Sequence, residues 1–385
     1  MLDRKQRLDY LDGIRGVAAF IVVIYHFVCA YVPSIATDQY TKPLLLADTP
    51  VNLFYNGPFA VIIFFTLSGF VVANSAAGKA DNIALTLLTR YIRLGLPATV
   101  SVVFAWVLLC AFPFETEKLS RLLPHPWLRF TYQNAIPPFG AAIADGLYGN
   151  FNKGESLFNN VLWTMRIELI GSCVLYLFYW LPTERFRSQC LIGGLVAVVL
   201  THNTIYMGFA LGACLREAYV AGRLPKALPL TALSVGCLLG SVGTGFYDRT
   251  GLPHIPSSLM LGNREGMIYP IAAAMIVYGC LASPALQRML ASAGPRFLGR
   301  VSFSLYLFHV PLLYTVFAAL YLAMAPVSAI SITALLLLFA STCLILSYVG
   351  TVVVDEPVLA VNRSIRRVFR RSAQPRLLAR QDAMR

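Results

Sequence analysis

Residues 15–27 read RGVAAFIVVIYHF: an arginine and a histidine with ten uncharged residues between them in an otherwise apolar segment. On a helix, eleven positions make a rotation of about 1100° and a rise of about 16 Å, so Arg15 and His26 share one face at different depths. The segment follows the charged start MLDRKQRLDY and has no small-residue cleavage site. At about twenty residues it reads as a retained membrane helix, not a signal peptide. An ionisable side chain in such a helix is costly unless it faces a polar interior, which makes each one a functional candidate.

The rest of the chain agrees with a membrane reading. Of its 385 residues, 57% are hydrophobic and 13% charged, with a mean hydropathy of +0.67, whereas roughly a quarter of an ordinary soluble domain is charged. Apolar stretches fall at roughly 14–34, 57–76, 92–112, 160–181, 188–202, 204–221, 228–246, 266–284, 302–324 and 328–354, most near the ~20 residues that span hydrocarbon. They are continuously apolar, where barrel strands would alternate over ~10 residues. The expected fold is all-α: a polytopic integral membrane protein with about ten transmembrane helices.

The formal net charge of +13 is spread in a way that suits topology better than nucleic acid, and no nucleic-acid partner is expected. With the N-terminus inside, the inner segments collect Arg4, Lys5, Arg7, Arg15, Lys79, Arg90, Arg93, Arg185, Arg187, Arg216, Arg223, Lys226, Arg288, Arg296, Arg300 and eight arginines from Arg363 to Arg385. The outer loops keep Lys42, Lys118, Arg121, Arg129, Lys153, Arg249 and Arg264. By the positive-inside tendency both termini are cytoplasmic. A transmembrane domain over 1–356 is then followed by a basic cytoplasmic tail over 357–385, lying on anionic membrane lipid or in solvent.

Eight cysteines, at 29, 110, 173, 190, 214, 237, 280 and 343, lie almost entirely in apolar stretches with no CxxC spacing. They read as small buried hydrophobes, and no metal site is expected. One sizeable loop, about 114–159, is rich in Pro, Gly and aromatics and is placed outside.

Few intramembrane residues can carry chemistry. Beside Arg15 and His26 stand Arg166 and Glu168 in NNVLWTMRIEL, His309 in VSFSLYLFHVPLL, and Asp355 and Glu356 where the last helix ends. Glu168 is at a depth that would meet His26, where a carboxylate would orient the imidazole and raise its basicity. Pairing of Glu168 with Arg166 is poor, because residues two apart on a helix face different sides. Arg90 and Arg93 in LLTRYIRLGLP are i, i+3 neighbours, and two forked guanidiniums make a clamp for phosphate or pyrophosphate. Ser68 and Gly69 in FFTLSGF suit close helix packing and a hydroxyl bond between helices. Tyr306 and His309, also i, i+3, can converge on one polar cavity.

Taken in order, LDGIRGVAAFIVVIYHF, FFTLSGF, RYIR, LWTMRIE and SFSLYLFHVP resemble the motifs of the acyltransferase 3 family, polytopic membrane acyltransferases that modify cell-surface and secreted glycans. The resemblance runs from residue 11 to about 311, departing where Leu169 follows Glu168 in place of a second acid and where Arg166 enters a normally neutral stretch. It implies transfer of an acyl group, usually acetyl from acetyl-CoA, to a hydroxyl of a carbohydrate or glycoconjugate at the outer face of a bacterial inner membrane. By motif position, His26 and Glu168 would be catalytic, Arg15, Arg90 and Arg93 would hold the donor, and Ser68, Trp163, Tyr306 and His309 would line the substrate cavity. The expected mechanism docks the CoA phosphates on the arginines and brings the thioester to His26, acting as general base or as an acylated intermediate. A proton-coupled secondary transporter is the rival reading; its inverted halves would show a second copy of the R-x10-H helix, and none is found.

Overall fold

The computed structural model describes residues 9–32, 49–77, 82–123, 136–182, 184–200, 204–225, 227–241, 267–324 and 327–382. The topology positions Arg4, Lys5, Arg7, Lys42, Lys79, Arg129, Lys226, Arg249, Arg264 and Arg385 lie outside the described residues. Among those described, the main elements are α1 (Asp9–Tyr31), α2 (Gly57–Ala76), α3 (Ile83–Ala111), α4 (Trp163–Trp180), α5 (Arg187–Leu200), α6 (Thr204–Val220), α7 (Pro229–Ser241), α8 (Ile268–Ala282), α9 (Pro284–Leu290), α10 (Ala293–Tyr314), α11 (Ala329–Gly350) and α12 (Glu356–Asp382).

Among the described residues six helices are long and apolar enough to cross a membrane: Asp9–Tyr31, Gly57–Ala76, Ile83–Ala111, Asn160–Trp180, Ala293–Tyr314 and Ala329–Phe369. A seventh span is reached if α8 and α9, bent by 98° at their junction, are counted together. Within the stretches expected at 188–202 and 228–246 the described residues form helices of 14 and 13 residues, each running to the last described residue of its segment, 200 and 241.

Helix starts follow from local chemistry. Asn56 caps α2 through the Phe59 amide at 3.1 Å with Pro58 in the first turn, Asn82 caps α3, and Ser283 caps α9; each accepts from an amide that the helix leaves unpaired. Pro311 lies inside α10 and has no N–H for the Leu307 carbonyl one turn back. The buried Asn159 fills that vacancy, its Nδ2 donating to Leu307 at 2.8 Å.

Glycines set how closely the helices cross. A Cβ on Gly16 would fall 2.2 Å from the Gly299 nitrogen, and one on Gly299 would fall 2.3 Å from the Asp12 carbonyl, so α1 and α10 touch backbone to backbone. The same holds for Gly69 of FFTLSGF, whose Cβ would meet the Phe209 carbonyl at 2.2 Å, and for Gly212 against Thr66 at 2.0 Å, where α2 crosses α6. Small residues permit this approach in membranes, where apolar surface alone gives helices no reason to associate.

Two expectations are corrected. The stretch 114–159 is not a plain loop: it holds the helices Glu115–Leu122 and Phe139–Ala144 and a π turn, Asp145–Gly149. Its second part folds back along α3. Trp106 donates to the Pro137 carbonyl at 3.0 Å, Gly146 abuts Thr99, and Tyr91 donates to Leu147, an advance along α3 of about 22 Å. Residues 124–135, the centre of that stretch, lie outside the described residues. As for the cysteines, Cys29, Cys280 and Cys343 are buried, but Cys110 and Cys190 are exposed on helix surfaces.

Candidate functional site

The second motif helix, α2, presents Val61, Phe64, Phe65, Ser68, Val71 and Val72 to a cavity of about 200 Å³. These positions repeat every three or four residues, so they form one stripe about 16 Å long. Facing that stripe are charged groups: Asp12 and Arg15 of α1, Arg90 and Arg93 of α3, Glu168 of α4, Arg300 of α10, and Asp355 at the end of the π turn Thr351–Asp355. The far end is closed by Thr164 and Tyr306.

Each cation is aimed by a specific neighbour. Arg15 Nε donates to Ser302 Oγ at 3.1 Å, and its guanidinium pairs with Asp12 at 2.8 Å. Ser302 in turn donates to the Gly299 carbonyl at 2.8 Å, so the glycine contact between α1 and α10 also fixes the arginine. Arg90 Nε donates to Ser172 Oγ at 2.9 Å, and its Nη2 pairs with Glu168 Oε1. That same oxygen accepts from Ser68 Oγ at 2.7 Å. Arg93 lies within the electrostatic reach of Asp355, Arg90 and Arg15. The wall of the mouth holds four guanidiniums against three carboxylates, with a fourth carboxylate, Glu356, pairing with Arg300 at 2.7 Å from outside it; its planar donor forks are suited to phosphate oxygens.

The histidines sit deeper. His26 Nδ1 is 2.9 Å from His309 Nε2, and His309 is 1% exposed. Neither ring lines the cavity. The Tyr306 ring, which does, has its centroid 6.0 Å from that of His309, so the cavity ends one aromatic ring short of the pair. The Tyr306 hydroxyl is 2.8 Å from the Val161 carbonyl and 2.9 Å from Thr164 Oγ1.

Of the residues picked from sequence, the cavity brings together Arg15, Arg90, Arg93, Ser68, Glu168 and Tyr306. Two assignments to the cavity wall are corrected. Trp163 packs half-buried against the apolar core, and His309 bonds to His26. A third correction concerns Glu168, whose carboxylate serves Arg90 and Ser68, while the His26 ring is met by an imidazole. The separation of Glu168 from Arg166 holds: Arg166 turns to the Lys153 carbonyl at 3.2 Å. Sequence reasoning missed Arg300, read only as a topology charge, and Thr164, which carries no signal beyond its place beside Trp163. Asp355 was noted as ionisable but given no part in the site. Among the described residues no group of three His, Cys, Asp or Glu side chains converges to hold a metal ion.

Comparison with known proteins finds relatives over most of the chain. The chain is 26% identical to the O-acetyltransferase PaAT-1 of Phomopsis amygdali over 369 residues, which cover 81% of this chain and 73% of that protein. It is 22% identical to the acyltransferase R4 of Phoma sp. (strain ATCC 20986 / MF5453) over 391 residues, covering 78% and 81% of the two chains. No solved structure matches. The model of the acyltransferase 3 family, described as an acyltransferase domain, matches residues 8–351, a range that takes in α1, both histidines and the residues of the mouth other than Asp355, and the chain therefore belongs to that family of membrane acyltransferases.

Proposed function

We propose that the chain moves an acyl group, acetyl in the first instance, from acyl-CoA to a hydroxyl of a carbohydrate or glycoconjugate reached from the opposite face of the membrane. The observation that carries this reading is the spacing of charge and base on α1. Arg15 lies in the mouth, and His26 lies about 16 Å further along the same helix face. A donor with a polyanionic head, a long neutral arm and a reactive thioester has the same order of parts. Arg15, Arg90, Arg93 and Arg300 hold the phosphates, and the stripe of α2 guides the arm.

At the reacting end, His26 takes the proton of the acceptor hydroxyl. The hydroxyl oxygen attacks the thioester carbonyl and the C–S bond breaks. The thiolate of CoA then leaves with the proton carried by His26. Such general-base help is worth about 10²- to 10⁴-fold. Glu168 acts one step away from the chemistry by aiming Arg90. For the donor to reach its cavity, α1's start and the end of α11 face the acyl-CoA side, which puts both termini in the cytoplasm. A bacterial inner membrane meets this demand, as does any membrane that parts acyl-CoA from the acceptor.

The test is release of CoA thiol from acetyl-CoA by the purified protein in lipid nanodiscs, with and without an added sugar acceptor, for wild type and His26→Ala. Turnover that falls at least about 100-fold in His26→Ala, with donor binding kept, is the expected result. Normal turnover in folded His26→Ala would falsify the assignment of the base.

A further inference from the structure

Two imidazoles 283 positions apart in the sequence meet inside the helix bundle. His309 Nδ1 lies 2.9 Å from the Leu305 carbonyl, one turn back on α10, and a carbonyl only accepts, so the hydrogen belongs to His309 Nδ1. In a neutral His309 the lone pair is then on Nε2, the atom 2.9 Å from His26 Nδ1. For that contact to be a hydrogen bond, His26 must carry its own hydrogen on Nδ1. The Val22 carbonyl, one turn back on α1, also faces His26, as Leu305 faces His309; a carbonyl accepts only from an N–H, so Val22 and His309 share the Nδ1 hydrogen and Nε2 is left unprotonated.

From this chain of donors and acceptors we propose that His309 is a positioning residue that fixes the tautomer and ring orientation of His26, presenting Nε2 as the basic nitrogen. The inference rests on the reading of His26 as the base. It assigns to an imidazole, anchored on a backbone carbonyl, the task that an orienting carboxylate performs elsewhere, and so explains how His26 is oriented although Glu168 is committed to Arg90. When His26 accepts a proton on Nε2, its Nδ1–H bond to His309 becomes charge-assisted and shorter, which steadies the imidazolium formed in the reaction.

The anchor is rigid. His309 is 1% exposed, its helix touches α1 through Gly16 and Gly299, and Asn159 holds the same turn of α10 at Leu307. A ring so placed has little freedom to trade its acceptor for a donor.

The first test is spectroscopic. The chain has five histidines, so full-length protein labelled with ¹⁵N-histidine in nanodiscs gives an assignable set, with His26→Gln identifying the resonances of interest. The expected result is a protonated Nδ1 and a bare Nε2 on His26. A proton on His26 Nε2, as a doubly protonated His309 would impose, overturns the proposal.

The second test is kinetic. His309→Leu lowers kcat for acetyl transfer by about 100-fold and leaves the KM for acetyl-CoA within about twofold, because His309 lines no part of the donor cavity. His309→Gln, whose side-chain oxygen accepts from Nδ1, restores part of the loss. A wild-type kcat in folded His309→Leu overturns the proposal, and if that variant does not fold, His309→Gln and the wild-type spectrum still decide. Should the tautomer be as expected while His26→Ala keeps full turnover, the reading of His26 as the base fails and the positioning role fails with it, while the tautomer assignment of the pair stands.

Discussion

Arg90 and Glu168 form an ion pair whose side chains are 13% and 14% exposed, and it is the best-buried charge contact of the cavity. Both partners have further bonds, Arg90 to Ser172 and Glu168 to Ser68, which offset part of what desolvation costs. Removing one partner strands the other. Glu168→Ala and Arg90→Ala are each expected to destabilise the protein by about 3 kcal/mol, and the double variant to lose clearly less than the two together. Thermal melts in one detergent across the four proteins check this; strict additivity would show that the pair is not coupled. Glu168→Gln keeps the acceptor for Ser68 and drops the charge, so it is expected to fold and to raise the KM for the donor as Arg90 loses its aim. A fall in kcat alone would instead place Glu168 at the reacting atoms.

At the level of elements, α10 is the hub. Its first half meets α1 through Gly299, its middle carries Tyr306 and His309, and its Pro311 turn is held by Asn159 from the turn before α4. Tyr306 ties the same two pieces together at Val161 and Thr164 and stands between the donor cavity and the histidine pair. With the tyrosine latched, the cavity stops short of the histidine pair; on the function proposed above, an acyl-CoA without acceptor would then be kept from the base. Tyr306→Phe removes the latch but leaves Thr164 and the Val161 carbonyl bonded to each other at 3.0 Å. The stability cost is therefore expected to be small, about 1 kcal/mol, while release of CoA thiol without acceptor rises several-fold. An unchanged blank rate would reduce Tyr306 to part of the wall.

For the whole molecule, sequence was a good guide to spacing along one helix and a poor one to how the helices meet. The R-x10-H spacing placed Arg15 at the mouth and His26 far from it, because rise per residue is a constant of the helix. Glu168 was expected at the depth of His26, yet it lies in the mouth on Arg90 and Ser68; its partner depends on how α4 is set against α3, and that is decided by packing at Gly171, Ser172 and Arg90 rather than by any local pattern. The meeting of His26 with His309 is likewise set by the glycine crossing of α1 and α10. The stretch 114–159 looked external because its prolines and glycines signal irregular backbone, yet much of it packs along α3. The side from which the mouth opens is a property of the whole molecule. The lysines and arginines predict that it opens to the compartment that holds both termini. In sealed vesicles, acetyl-CoA does not cross the bilayer, so it is expected to be consumed only by the orientation in which protease also removes a C-terminal tag from outside. Consumption by the opposite orientation would invert the topology and move the donor to the far face, while leaving the geometry of the arginines and the histidine pair intact.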